Sequence, residues 1–121
     1  MQLKGLELEH LDFKRSDKMP SKKGLLRIIN HYGLNHQQRK LAEEHFELQE
    51  SITTLENKNI YALEGDELDN IASEIADNMF ILEQIREYYG IPKTAVKKQI
   101  NYKYKRQRER MECENNVKTG S

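Results

Sequence analysis

The sequence predicts an all-α protein, a bundle of four helices. Of its 121 residues, 33% are charged and only 36% are hydrophobic, whereas roughly 25% is the usual charged share of a globular domain. This composition favours amphipathic helices with narrow apolar stripes over a core built on a sheet. Apolar residues also recur at spacings of three and four, and no stretch shows the alternation of a strand. Because one small core is marginal at this length, we also expect the bundle to be oligomeric.

The first two helices are predicted on either side of Gly33. Ser21 suits the N-cap of a first helix over residues 22–32, and Gly33 suits the residue that closes it. Asn35 and the glutamine three residues later have the spacing of a capping box, so the second helix is expected to start near His36. Its apolar residues share one helical face: Leu41, Leu48, Ile52 and Leu55.

The third and fourth helices are delimited by glycine and proline. Acidic residues just after Gly65 suit the first turn of a third helix, which Gly90 is expected to end. Pro92 suits the first turn of a fourth helix, which is expected to extend to about Met111. The apolar stripe of the third helix comprises Leu68, Ile71, Ile75, Met79, Leu82 and Ile85, and that of the fourth comprises Ala95, Val96, Ile100 and Tyr104.

The pattern divides the chain into an N-terminal arm over residues 1–20, a helical domain over residues 21–111, and a tail over residues 112–121 that is expected to be disordered. The single cysteine, Cys113, excludes an internal disulfide and a zinc knuckle. No apolar run approaches the roughly 18 residues of a membrane span, and the N-terminus lacks the apolar core of a signal peptide. We therefore expect a cytoplasmic protein with no membrane partner.

The charges are strongly segregated although they sum to zero. Between Glu43 and Glu87 there are thirteen acids and two bases, whereas between Lys93 and Arg110 there are eight bases and one acid. An acidic middle segment attracts hard cations, and a basic end attracts phosphates. The alternative is that both segments are solvated helix faces that pair with each other.

Two pairs of carboxylates stand out in the acidic segment. Glu44 and Glu47 are three residues apart on the second helix, and Glu74 and Asp77 are three apart on the third. Residues at this spacing are neighbours on one helix face. If the two helices pack antiparallel through their apolar stripes, the four carboxylates face one groove and offer the oxygen ligands that Mg²⁺ or Mn²⁺ prefers. The alternative is that each pair is an ordinary solvent-exposed feature, since Glu is a good helix former.

The first carboxylate pair lies within a stretch, HYGLNHQQRKLAEEHFEL from His31 to Leu48, that resembles the first motif of phage-type MazG-like nucleoside triphosphate pyrophosphohydrolases. The second pair matches the second motif of that all-α superfamily, an ExxD on the following helix. The resemblance covers roughly residues 25–110. It implies a helical bundle of the all-α NTP pyrophosphatase type, self-association as a dimer or tetramer, and Mg²⁺-dependent hydrolysis of an NTP or dNTP to the monophosphate and pyrophosphate.

The resemblance also implies roles for individual residues. The metal ligands and catalytic residues would be Glu44, Glu47, Glu74 and Asp77, and one of these carboxylates, or a neighbour such as Glu43, would orient the attacking water. The cations that contact the substrate phosphates would be Lys40, Lys103, Arg106 and Arg110. Asn78 departs from the family pattern, because an apolar residue usually follows the aspartate of the second motif.

Two other functions are compatible with the sequence. The basic segment over residues 92–110 follows a glycine-containing turn, as the recognition helix of a helix-turn-helix DNA-binding protein does. The acids of the preceding helix would repel a DNA backbone, which argues against nucleic acid as the partner. A non-catalytic helical oligomer, in which the charges only determine pairing, is the other alternative. A P-loop NTPase is excluded because the sequence has no GxxxxGK[ST] motif.

Overall fold

The computed structural model describes residues 18–118, and all regular structure within them is helical. The helices are α1 (Lys22–Tyr32), α2 (Leu34–Leu55), α3 (Gly65–Tyr88) and α4 (Lys93–Lys118), with a short 3₁₀ helix over Ile60–Ala62. The prediction of an all-α fold with four α-helices is confirmed. In this part of the chain no helix has the combination of length and apolar content that crossing a membrane requires.

The chain divides into two compact units. The first ends at Tyr88 and contains α1–α3, and the second begins at Tyr89 and contains α4. The predicted N-terminal arm over residues 1–20 lies outside the described residues except for residues 18–20, which belong to no helix or strand.

Helix α1 has the bounds that the sequence predicts, and its caps explain them. The side chain of Ser21 accepts a hydrogen bond from the backbone N–H of Gly24 at 3.1 Å, so the predicted N-cap is confirmed. At the other end Gly33 has a φ of +92° and donates its N–H to the carbonyl of Ile29 at 2.7 Å. Because residues that carry a side chain rarely adopt this backbone conformation, glycine is required at this position.

The start of α2 differs from the prediction. The helix begins at Leu34, with Gly33 as its N-cap and no side-chain capping bond, so the capping box at Asn35 and the start near His36 are wrong. The carbonyl of Gly33 already accepts the N–H of Gln37 at 3.1 Å. Since this bond starts the helix at the glycine itself, Asn35 lies within the first turn and cannot cap it.

Helices α2 and α3 pack antiparallel, and α1 covers one end of the pair. Hydrogen bonds across the seam join Gln37 to Gln84, Glu44 to Asn78, and Ser51 to Asn70. The order of these pairs, rising along α2 and falling along α3, gives the antiparallel direction. The fully buried apolar side chains of the described chain are Leu25 and Ile29 of α1 and Ile81 of α3. The core therefore lies where α1 meets the C-terminal half of α3.

The rotation of α3 about its axis differs from what its apolar stripe predicts. Ile75, Met79 and Leu82 are exposed, whereas Asn78 and Gln84 are buried in the seam. Polar side chains enter the seam because each finds a hydrogen-bond partner there, which removes most of the cost of burial. The expectation that α2 and α3 pack through Ile52, Ile75 and Met79 is therefore wrong, since these three remain exposed.

Helix α4 is longer than predicted. It follows Gly90, which has a φ of +67°, and continues to Lys118 instead of ending near Met111. The disordered tail predicted from residue 112 is therefore corrected for residues 112–118, while residues 119–121 lie outside the described range. No glycine or proline occurs between Pro92 and Gly120, so nothing in the sequence interrupts the helix. Its predicted apolar side is exposed at Val96, Ile100 and Tyr104.

Candidate metal centre

Three of the four predicted metal ligands come together in the seam between α2 and α3. Glu44 of α2 and Glu74 and Asp77 of α3 each present a carboxylate oxygen within 4.8 Å of the other two. Antiparallel packing brings the middle of α2 against the middle of α3, so residues distant in sequence meet at the same level. Glu44 and Glu74 are half-buried, and Asp77 is exposed at the edge of the cluster.

Two carboxylate oxygens of this cluster lack a hydrogen-bond partner. The Oε2 atoms of Glu44 and Glu74 are both buried, and neither accepts a hydrogen bond. Buried polar atoms are nearly always paired in folded proteins, so two orphaned acceptors on residues of one cluster require an explanation. A hard divalent cation is the chemical partner that several converging carboxylate oxygens fit best. The residues present therefore fit a magnesium or manganese ion.

The environment raises the pKa of both glutamates. Burial is the largest cause for Glu44, followed by the negative charges of Glu47 and Asp77, and Lys40 partly opposes these effects. For Glu74, burial again comes first, and the charges of Glu47 and Asp77 follow. Since a metal ion binds the deprotonated carboxylates, a cation at this cluster must displace protons, and its affinity should fall at acid pH.

Glu47, the fourth predicted ligand, borders the cluster. It is exposed on α2, and it does not belong to the group whose oxygens meet within 4.8 Å. Its charge nevertheless contributes to the raised pKa of both Glu44 and Glu74, so it lies within electrostatic range of both helices' ligands. An exposed position beside the cluster suits a residue that orients a water molecule. It suits a direct metal ligand less well.

The predicted phosphate contact Lys40 also lies at the cluster. Its Nζ atom is 3.8 Å from Oε1 of Glu44, one helical turn along α2. The lysine side chain is 49% exposed and the glutamate side chain 14% exposed. Lys40 therefore balances part of the cluster's negative charge and can still reach a ligand from the solvent side.

The other three predicted phosphate contacts belong to the second unit. Lys103, Arg106 and Arg110 are exposed on α4, and their spacings of three and four residues keep them on one face. The guanidinium of Arg106 lies 5.8 Å from the ring centre of Tyr102, within the range of a cation–π contact. The contact of these cations with a substrate at the cluster stays a prediction.

Asn78 belongs to the site, although the sequence marked it only as a departure from the family pattern. Its Nδ2 atom donates to the backbone carbonyl of Glu44 at 3.0 Å and to that of Glu74 at 2.8 Å. The available signal was a polar residue interrupting the apolar stripe of α3 one turn after Glu74. Periodicity alone does not indicate which of its neighbours such a residue contacts.

Two surface cavities flank the seam within the first unit. One of about 610 Å³ is mostly apolar, and its lining includes Leu41, Leu48, Ile75, Met79 and Leu82, together with His45 and Asn78. The other, of about 440 Å³, has a mixed polar and apolar lining, formed by Ser51, Thr54, Leu55, Asp66, Glu67 and Asn70. The apolar cavity is formed by the same α3 side chains that the rotation of the helix leaves exposed.

Comparisons with known proteins find no relative of this chain. No protein-family model matches it, and neither a curated protein nor a solved structure matches it.

Proposed function

We propose that the protein is a Mg²⁺-dependent nucleoside triphosphate pyrophosphohydrolase of the MazG-like type, acting in the cytoplasm on an NTP or dNTP. The observation that carries this proposal is the meeting of the carboxylates of Glu44, Glu74 and Asp77, two of which, those of Glu44 and Glu74, each have a buried oxygen without a hydrogen-bond partner. Four carboxylates at the spacings of the two motifs, from two helices, match what the resemblance implies for this family. Mn²⁺ has the same ligand preferences and should substitute for Mg²⁺.

In the proposed reaction, water attacks the α-phosphorus, the bond from that phosphorus to the bridging oxygen breaks, and pyrophosphate leaves. A bound divalent ion would neutralise the phosphates and lower the pKa of the attacking water. Glu44, Glu74 and Asp77 would hold the ion, because their oxygens converge. Glu47, exposed beside them, would orient the water and accept its proton.

The cations of the chain would bind the triphosphate. Lys40 already neutralises part of the negative charge of the cluster and is partly exposed to solvent. It is therefore placed to bind a phosphate oxygen near the ions. Lys103, Arg106 and Arg110 would supply further charge-assisted hydrogen bonds from one face of α4. These contacts could come from the same chain or from a partner subunit.

We further propose that the protein self-associates through the apolar cavity between α2 and α3. Leu82 and Met79 are about half exposed there, at 51% and 54%, and Ile75 is 42% exposed. Contiguous exposed apolar side chains are unusual on a monomer and are typical of interfaces. With only three apolar side chains fully buried among residues 18–118, covering this face with a second copy would supply the apolar burial that the single chain lacks.

The test is pyrophosphate release from a panel of NTPs and dNTPs with Mg²⁺ or Mn²⁺. The wild type should release pyrophosphate from at least one of them, and Glu74→Gln should lose most of this activity because a charged ligand is removed. Glu50→Gln is the matched control, since it makes the same change on an exposed residue of α2 outside the cluster. No release from any substrate, or equal turnover in Glu74→Gln, would exclude the proposed activity.

DNA binding is a second candidate, favoured by one observation. All eight bases between Lys93 and Arg110 are exposed on α4, so they are available to phosphates of any kind. The distinguishing assay is duplex DNA retention at increasing salt, with Lys97 and Lys98 replaced by glutamine. Salt-sensitive retention that the replacements abolish, without hydrolysis of any nucleotide, would favour this function over the pyrophosphohydrolase.

A further inference from the structure

Asn78 connects the two helices at the level of the acidic cluster. Its side chain lies in the seam, and the residue is only 7% exposed. The two bonds that its amide nitrogen donates go to backbone carbonyls, of Glu44 on α2 at 3.0 Å and of Glu74 on α3 at 2.8 Å. These two carbonyl groups belong to the same two glutamates whose Oε2 atoms are buried without a hydrogen-bond partner.

The chemistry of the amide explains why this position differs from an ordinary seam residue. A carboxamide NH₂ has two donor hydrogens, and here one is used within α3 and the other across the seam. The bond within α3 holds the side chain of Asn78 against its own helix. The bond to α2 then fixes the backbone of Glu44 relative to that of Glu74. An apolar residue could fill the same space but could make neither bond.

We infer that Asn78 is a positioning residue, which holds the backbones of Glu44 and Glu74 at the separation that lets their carboxylates bind one divalent ion. The inference rests on the metal site of the proposed function, but not on hydrolysis itself. Mg²⁺ requires nearly ideal ligand positions at about 2.0–2.1 Å, whereas Ca²⁺ accepts longer and more variable distances. Loss of the two bonds should therefore weaken Mg²⁺ and Mn²⁺ binding more than Ca²⁺ binding.

The expected size follows from comparable contacts in metal sites. Groups that orient metal ligands typically contribute about 10–100-fold to metal affinity. The contact here is to the ligand backbones, so it acts on both glutamates together. We expect Asn78→Leu, which keeps the branched shape of the side chain and removes the donors, to weaken Mn²⁺ binding by about 10–100-fold.

The same seam offers a matched control. The Nε2 atom of Gln37 donates to Oε1 of Gln84 at 2.8 Å, and both residues are buried. This is a second amide contact between α2 and α3, and it does not involve the backbone of any cluster residue. Gln84→Leu should therefore lower the melting temperature as Asn78→Leu does, while leaving Mn²⁺ affinity within about twofold of the wild type.

The experiment is calorimetric titration of the full chain with Mn²⁺ alone, and then with Ca²⁺, together with thermal unfolding in the absence of metal. Asn78→Ser is a second variant in case the leucine variant does not fold. Its single hydroxyl hydrogen can bond back within α3 but leaves the carbonyl of Glu44 without its donor. We expect both Asn78 variants to lose Mn²⁺ affinity, and Ca²⁺ affinity to fall less.

Three outcomes would overturn the inference: Mn²⁺ binding by both Asn78 variants as tight as by the wild type, equal weakening by Gln84→Leu, or no Mn²⁺ binding by the wild type. Failure of the proposed activity has a different signature. A wild type that binds Mn²⁺ but releases no pyrophosphate from any nucleotide would remove the hydrolase proposal, and the titrations would still support or refute the role of Asn78.

Discussion

Replacing Glu44 by glutamine should stabilise the metal-free protein and remove most of its stabilisation by metal. In the absence of a cation, Glu44 lies among carboxylates of its own charge, with one buried oxygen that has no partner. The neutral amide removes this repulsion and has nearly the same shape. With a cation present, the same change removes a charged ligand, so the two effects have opposite signs.

The distances determine the size of the first effect. One oxygen of Glu44 lies within 4.8 Å of one from Asp77, and at an effective dielectric constant of about 20 two unit charges at that distance repel by about 3.5 kcal/mol. Lys40 at 3.8 Å offsets much of this repulsion, and solvent around the exposed Asp77 screens more of it. We therefore expect Glu44→Gln to raise the free energy of unfolding by about 1 kcal/mol, or the melting temperature by about 4 °C.

The second effect follows from mass action. At a Mn²⁺ concentration 100-fold above the dissociation constant, binding should stabilise the wild type by about 2.7 kcal/mol. At the same Mn²⁺ concentration, binding should stabilise the Glu44→Gln variant by less than about 1 kcal/mol, because its affinity for Mn²⁺ is lower. Both quantities come from thermal or urea unfolding, measured first with EDTA and then with Mn²⁺.

Glu43→Gln is the control for both measurements, because the residue is adjacent, exposed and outside the cluster. It should change neither the metal-free stability nor the response to Mn²⁺ by more than about 0.5 kcal/mol. The reasoning is refuted if Glu44→Gln destabilises the metal-free protein, or if the variant retains the full stabilisation by Mn²⁺.

Three further predictions concern pH, the core and the exposed apolar face. Because the folded-state pKa of Glu44 is raised above 4.5, the folded protein binds more protons than the unfolded one, so metal-free stability should fall as pH rises from about 4.5 through the raised pKa. Urea unfolding across pH should show this loss in the wild type and a smaller loss in Glu44→Gln; equal profiles would contradict it. Ile29 is fully buried, at 0% exposure, so Ile29→Ala should lower the free energy of unfolding by about 2–5 kcal/mol. A decrease of less than about 1 kcal/mol in urea unfolding would place this residue outside a packed core. In analytical ultracentrifugation, Met79→Lys should shift the distribution of sedimentation coefficients toward that of the monomer. Met19→Lys, which changes an exposed residue outside this face, is the control. An unchanged distribution in Met79→Lys would exclude the proposed interface.

Much of the local structure follows from single residues and their neighbours. Ser21 and Gly33 delimit α1 at the residues that the sequence predicts, because a cap depends only on a few adjacent backbone groups. The sequence also predicts that the two carboxylate pairs face one groove if the helices pack antiparallel, and three of the four, Glu44, Glu74 and Asp77, meet in the seam. This meeting depends on two long helices and a short connection, which favour antiparallel packing.

The sequence by itself determined the all-α class, the extent of α1 and the carboxylate pairs that share a helix face. Only the tertiary structure decided how far α3 is rotated against α2, and with it which side chains are buried. Helical periodicity lists the residues that share a face, but not the partner that each will find. Asn78 and Gln84 enter the seam because acceptors on α2 and α3 satisfy their amides there, and Met79 is left facing solvent as a consequence.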